Sequence, residues 1–315
     1  MKKYALLALT LCATSACTTP KVAPPTAPAQ AAVTEVIRPQ AKIALALGGG
    51  AARGFAHVGV IKALEAQGIV PDMVVGTSAG AVVGALYASG LNGFQIQELS
   101  INMREDQFLD GSGMYRCIAE TVVSEKRGCI KGQALQDFVN KNVNGRPIEK
   151  LDKPFAAVAT NLNSGEMMVF DSGNTGLAVR ASSSIPVFFQ PVNINGQDYV
   201  DGGLVAPVPA SVARKLGADF VIAVDISGRP QDRGTAGITD ILWQTFTIFI
   251  KTINLHEQSS ADIVIRPVTS GLPTIDASGR NKAVLEGEKA VAAILPELKA
   301  RLAILNETRH VEGMP

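Results

Sequence analysis

Between Val74 and Gly80 the chain reads Val-Val-Gly-Thr-Ser-Ala-Gly, followed by Ala81-Val82-Val83-Gly84-Ala85-Leu86. An apolar strand, a tight turn and a small-residue helix in that order leave few architectures open. Gly76 and Gly80 let the chain turn sharply, and a serine at the apex of such a turn presents its hydroxyl above the sheet edge. The helix N-terminus behind Ser78 also favours negative charge developing beside it. A glycine-flanked surface turn would satisfy the same five residues, so the context carries the reading more than the motif does.

The elements before the turn set the fold class. Lys42–Leu47 reads as a strand ended by Gly48-Gly49-Gly50, and Phe55–Gln67 as a helix with Phe55, Val58, Ile61 and Leu64 on one face and Gly68 as its stop. Asp72–Val75 is the next strand, and the helix behind Ser78 runs to Ala88. This strand–helix–strand–helix order predicts a sheet that is at least partly parallel. Residues 93–153 read as helical and irregular. Strands are expected over Phe155–Thr160, Met167–Phe170, Tyr199-Val200, Phe220–Asp225 and Asp262–Arg266, with helices over 176–182, 209–216, 238–256 and 281–303. With no internal repeat, this is one α/β domain over 41–306: a three-layer α/β/α arrangement on a mainly parallel sheet, with a tail over 307–315.

Charge and the N-terminal region narrow the setting. A net charge of +1 over 315 residues, without a basic run longer than two, excludes a nucleic-acid partner. Lys2-Lys3, the apolar run Tyr4–Ala13 and the small residues before Cys17 read as a signal peptide over 1–16, too short to span a membrane. Ser15-Ala16-Cys17 resembles a bacterial lipobox, with Cys17 as the lipidated residue and Thr14 standing where leucine is commonest. Thr18 resembles the outer-membrane sorting rule. Residues 17–40, rich in Pro, Ala and Thr, read as a semi-rigid tether. The expected location is the bacterial envelope, as an outer-membrane lipoprotein or otherwise in the periplasm. The remaining cysteines, Cys117 and Cys129, suggest a disulfide in an exported protein, against the alternative of two buried thiols.

Gly48-Gly49-Gly50-Ala51-Ala52-Arg53-Gly54 follows a strand and opens a helix, which invites a dinucleotide reading. The spacing G-x-G-x-x-x-G is one residue too long, the second strand ends in no acidic residue, and Gly-Lys-Ser/Thr is missing, so no nucleotide is expected. What the loop offers is backbone N–H groups at a helix N-terminus, with Arg53 as a cation. Beside Ser78, Gly49, Gly50, Ala51 and Arg53 would form an oxyanion hole. The three histidines, His57, His256 and His310, lack a setting that suits a base for Ser78. Asp201, after a short strand and before Gly202-Gly203, is the remaining candidate general base. Asp-Gly-Gly alone is more often just a turn.

Four blocks occur together in order: the loop Gly48–Gly54, the turn Gly76–Gly80, the segment Ala181-Ser182-Ser183-Ser184-Ile185-Pro186 through Pro191, and Asp201-Gly202-Gly203. They resemble bacterial members of the patatin-like phospholipase family, over roughly residues 42–303. The resemblance implies a Ser78–Asp201 dyad, a glycine-loop oxyanion hole, and hydrolysis of ester bonds in phospholipids or other acyl lipids with no metal and no cofactor. The implied partners are a lipid substrate and, through Cys17, a membrane. A non-catalytic lipid-binding or envelope scaffold on the same fold is the competing reading, and an esterase using His57 a third. The helix over 238–253, with Trp243, Phe246, Phe249 and Ile250, reads as a core helix covering the sheet. Its other reading is an element that lines an acyl groove or touches a bilayer. Phe188 and Phe189 are the other candidates for groove lining.

Overall fold

The computed structural model describes residues 41–102, 127–230, 237–272 and 279–311. The expected leader and tether over 1–40, with Cys17, and the expected disulfide partner Cys117 lie outside the described residues. In chain order the strands are β1 (Ile43–Leu47), β2 (Met73–Thr77), β3 (Phe155–Asn161), β4 (Met167–Phe170), β5 (Val192–Ile194), β6 (Gln197–Asp201), β7 (Phe220–Val224) and β8 (Ile263–Ile265). The helices are α1 (Phe55–Ala66), α2 (Ala79–Ala88), α3 (Gly93–Asn102), α4 (Gln133–Asn142), α5 (Thr175–Ser182), α6 (Ala210–Lys215), α7 (Ile238–Glu257) and α8 (Arg280–Val311).

The strands form one sheet in the order β5-β6-β3-β2-β1-β7-β8, with β4 also paired to β3. The pairings among β3, β2, β1, β7 and β8 are parallel, and those of β3 with β4 and β6 and of β5 with β6 are antiparallel. Central parallel strands are covered on both faces, which is why β1 and β7 are apolar without interruption. Alternate residues serve the two layers. Leu45, Leu47, Val74, Ile222 and Val224 join one core cluster with residues of α1, α2 and α8. Ala44, Ala46, Met73, Val75, Val221 and Ala223 join the other, with Ala210, Val212 and Ala213 of α6. Each fully buried Leu or Ile contributes about 1.5–3 kcal/mol. The fold is therefore a three-layer α/β/α arrangement on a mixed, mainly parallel sheet.

Register brings the site together. Leu47 pairs with Gly76 on one side and Val224 on the other. The loops that follow β1, β2 and β7 thus leave the sheet at one level, where open parallel sheets place their sites. The second half of the arrangement depends on β3. Residues 155–158 pair with β2, residues 159–161 with β6, and residues 157–160 with β4. A strand has two edges, and β4 overlaps both other partners, so β2 and β6 share the opposite edge. They meet end to end: Thr77 lies opposite Val158 and Asp201 opposite Ala159.

Two segments depart from expectation. Strand β5, three residues long, is too short to leave a local pattern and exists by pairing with β6. The last helix continues to Val311 instead of stopping near 303, and Leu302 and Leu305 pack against the core along the way. Cys129 is disulfide-bonded.

Candidate active site

Ser78 stands between β2 and α2 with φ 55° and ψ −123°, a conformation that non-glycine residues rarely adopt. Strain of this kind costs about 1–3 kcal/mol and persists only where the surroundings over-determine it. Here the surroundings are identifiable. The Ser78 N–H donates to Ser182 Oγ at 2.9 Å, and that hydroxyl donates in turn to the Val158 carbonyl at 2.6 Å. A Cβ on Gly80 would lie 2.0 Å from the Leu47 carbonyl oxygen, so only glycine lets α2 begin against the end of β1.

Asp201 ends β6 and is held on both sides of its peptide. Its N–H donates to the Ser184 carbonyl at 2.9 Å, and its own carbonyl accepts the Thr160 hydroxyl at 2.8 Å. The carboxylate accepts the Gly203 N–H at 2.7 Å and a hydrogen bond from the Ser78 side chain. Gly202 passes over the Val158 carbonyl so closely that a Cβ would sit 2.1 Å from its oxygen. Burial raises the Asp201 pKa from 3.8 to about 6, and the hydrogen bonds from Ser78 and Gly203 act against that rise. A carboxylate so placed is a better proton acceptor near neutrality than a solvated one. Ser78 and Asp201 are only 5% and 7% exposed, so their interaction is largely shielded from water.

The glycine loop sits beside them, with one correction to the expected donor set. The Gly49 N–H donates to the Pro207 carbonyl at 2.9 Å, and the Gly48 N–H to Val224 at 3.0 Å. Gly49 therefore has no N–H to offer a ligand; its Cα faces the Ser78 Cβ instead, where an added Cβ would stand 3.2 Å away. Among the described residues, no acceptor takes the N–H of Gly50 or Ala51, both of which line the cleft. The N–H of Ala79, at the first turn of α2, is open for the general reason that helix N-termini lack intrahelical acceptors. Ala51 has φ 50°, a second strained residue at the same mouth. Arg53 lines the cleft too, but its Nε donates to the Gly50 carbonyl at 3.2 Å and its guanidinium packs on Gly228, so it braces the loop. Gly54 packs against Ala79, and Gly76 lies within the β1–β2–β3 pairing.

His57 is fully buried, and its Nε2 donates to the Gly48 carbonyl at 2.7 Å. Burial lowers its pKa from 6.5 to about 4, so the ring is neutral near pH 7. It supports the loop from beneath and is not turned to Ser78. His256 is exposed at the far end of α7.

The cleft is completed by Ile185, Pro186, Leu204, Pro207, Ser227 and Gly228, and by Trp243, Phe246, Thr247 and Ile250 of α7. Helix α7 does not cover the sheet as a core helix: neither main core cluster includes any of its residues. Phe188 and Phe189 do not line the cleft directly. They form a small cluster with Ile130, and Trp243 stacks on Phe188 at 5.0 Å between centroids. Two positions escaped the sequence reading of chemistry. Ser182 and Ser184 hold Ser78 and Asp201 by hydrogen bonds to their backbone N–H groups; the three consecutive serines before Ile-Pro were the available signal. The loop after β7 was placed at the site by strand order alone.

A strained serine on a strand-to-helix turn, hydrogen-bonded to a buried aspartate and flanked by open backbone donors, defines the α/β class built around a serine elbow. The patatin-like phospholipase family model matches residues 45–214, more than half of the chain, and the chain belongs to that family. An uncharacterized NTE family protein of Mycobacterium tuberculosis is 35% identical over 188 residues, which are 59% of this chain and 49% of that protein. Human patatin-like phospholipase domain-containing protein 6 is 33% identical over 201 residues, 62% of this chain and 14% of that protein. The matches thus span about half, or far less, of the relatives' own lengths. The fold is also that of VipD from Legionella pneumophila, whose crystal structure superposes with a TM-score of 0.50 at 18% identity, covering 82% of this chain and 67% of that one.

Proposed function

We propose that this chain is a serine hydrolase of acyl lipid esters in which Ser78 is the nucleophile and Asp201 its general base. One observation carries the reading: the strained Ser78 turn and the buried Asp201 carboxylate meet at adjacent positions of β3, where Thr77 pairs with Val158 and Asp201 with Ala159. Asp201 takes the Ser78 proton as Oγ attacks the ester carbonyl carbon, and the carbonyl oxygen becomes the oxyanion. The N–H groups of Gly50, Ala51 and Ala79 surround the position where that charge develops. Protonated Asp201 then gives its proton to the departing alcohol as the C–O bond breaks, leaving an acyl-serine. A water, deprotonated by Asp201, attacks the acyl carbon, and Asp201 passes that proton to Ser78 Oγ as the acyl C–O bond breaks and the free fatty acid leaves. The apolar side chains of Trp243, Phe246 and Ile250 suit an acyl chain. Export as a Cys17 lipoprotein of the outer membrane is part of the same proposal and is supported by the sequence of residues 1–18.

A fluorophosphonate probe tests the dyad. Labelling of the parent, loss of label in Ser78→Ala, and loss of p-nitrophenyl ester turnover in both Ser78→Ala and Asp201→Asn are expected. Turnover retained by either variant, with the fold intact by circular dichroism, removes the assignment. A parent that neither labels nor turns over esters restores the scaffold reading.

A further inference from the structure

Helix α7 is turned inside out. Its buried residues are polar: Thr247, Asn254 and Glu257 are 8%, 3% and 4% exposed. Glu257 accepts the Ser211 N–H and hydroxyl at 3.2 and 2.9 Å, and Asn254 Nδ2 donates to Ser227 Oγ at 3.2 Å. Gln244 Nε2 donates to the Pro230 carbonyl at 2.8 Å. Five of its outward residues are large and apolar: Ile241, Leu242, Ile248, Phe249 and Leu255 are 54%, 46%, 47%, 59% and 70% exposed. At 100° per residue Ile241, Ile248 and Leu255 form one outward apolar row and Leu242 and Phe249 a second, with Thr245, Thr252 and His256 between the two. A helix at a water-facing surface carries the opposite pattern, with its apolar stripe towards the core. The polar bonds on the inner side fix the orientation, so the apolar face has no route inward.

Two further observations say what that face meets. Phe246, which lines the cleft of Ser78 and Asp201 with Ile250, lies next to Phe249 around the helix, so the Leu242–Phe249 row runs into the cleft wall. The outward face carries one firm charge, Lys251, with Thr245, Thr252 and His256 as its other polar members. Among the described residues no helix is long and apolar enough to cross a membrane, so α7 would lie along a surface.

We propose that the outward face of α7 docks on a lipid surface and sets the mouth of the cleft against it. A lipid acyl chain then moves from the bilayer along Phe249 and Phe246 to Ser78 without crossing water. The choice of lipid as occupant rests on the acyl-ester reading of the site. A second copy of the chain on this face would instead cover the mouth it borders. Since the face is nearly uncharged, binding depends on buried apolar area and responds weakly to salt or lipid charge.

The test uses the full chain with Cys17→Ser, so that no acyl anchor contributes, and with Ser78→Ala, so that nothing is consumed. Its partition onto phosphatidylcholine vesicles is measured by sedimentation, with and without Ile241→Glu and Ile248→Glu together. Both side chains are exposed and outside the cleft, so the fold is retained and thermal melts should coincide. The expected result is loss of vesicle partition by about tenfold or more, because two charges must enter the interface. With Ser78 restored, the same pair leaves soluble p-nitrophenyl ester turnover within roughly twofold while turnover of vesicle phospholipid falls by about the partition ratio. Unchanged partition overturns the proposal. So does a parent dimer that dissociates in the variant with partition unchanged, which would give the face to a second copy. A parent with α7-dependent partition but no ester turnover sinks the hydrolase reading and leaves docking standing.

Discussion

Ser182 Oγ accepts the backbone N–H of Ser78 at 2.9 Å, the one polar tie on the amide of the strained residue. Because the same hydroxyl donates to Val158, it links the turn to the strand that carries both β2 and β6. Ser182→Ala leaves a buried donor and a buried acceptor unmatched, which costs about 1–3 kcal/mol. Denaturant midpoints should report that loss. Under the proposed mechanism kcat falls while KM holds, since the substrate does not touch this hydroxyl. A rise in KM alone, with kcat unchanged, would move Ser182 to a substrate contact.

The conformation of Ser78 separates two inactive variants. Ser78→Ala keeps a Cβ at φ 55° and retains the strain, whereas Ser78→Gly releases it. Glycine should therefore be more stable than alanine here by roughly 1 kcal/mol, against the usual penalty for glycine. Equal melting temperatures would show that the strain is not stored at this residue.

Asp201 sets a pH dependence with two signs. Under the proposed mechanism it must be ionised, so kcat/KM for a soluble ester should rise through an apparent pKa of about 6 and level off above it. For stability the sign is reversed. The folded pKa lies above the unfolded 3.8, so between 3.8 and about 6 the folded state holds a proton that the unfolded state has lost. Stability contributed by protonated Asp201 is complete below 3.8 and is lost as pH rises to about 6, by up to roughly 3 kcal/mol. Asp201→Asn should be inactive yet gain on the parent in urea midpoint between pH 4 and 7. An acid limb that survives in Asp201→Glu at an unmoved pKa would assign it elsewhere.

His57 predicts the opposite slope. Its folded pKa of about 4 lies below the unfolded 6.5, so its contribution is present above 6.5 and is lost as pH falls towards 4. The two residues oppose each other over nearly the same window, and the parent's stability should look flat there. His57→Gln keeps a donor near the Gly48 carbonyl and removes the titration, which unmasks the Asp201 slope. The acid limb of activity should stay near pH 6 in this variant. A shift of that limb would return His57 to the reaction.

Local pattern made the first half of the site legible. Gly48–Gly54 and Gly76–Gly80 each follow an apolar run and precede a helix, so parallel neighbours had to set them side by side. Asp201 stood out by elimination of the histidines. The donor set was less legible: whether Gly49 keeps a free N–H depends on Pro207, far along the chain, and nothing near Gly49 encodes that. Helix α7 misled for a different reason. Its apolar residues surround most of the girth, so periodicity gave no direction. The polar residues Thr247, Asn254 and Glu257, few as they are, turn it by their partners on other elements. Strand β5 is a creature of its neighbour and has no pattern of its own.

The shared edge of β3 makes the order of assembly matter. Strand β2 can settle against residues 155–158 before residues 159–161 have found β6. In that interval the serine has its turn and its helix but no carboxylate. Under the proposed mechanism, chemical competence therefore arrives only when the far strand closes the remaining edge. A partly folded copy would be a harmless one, and the first burst of turnover during refolding would time the docking of β6.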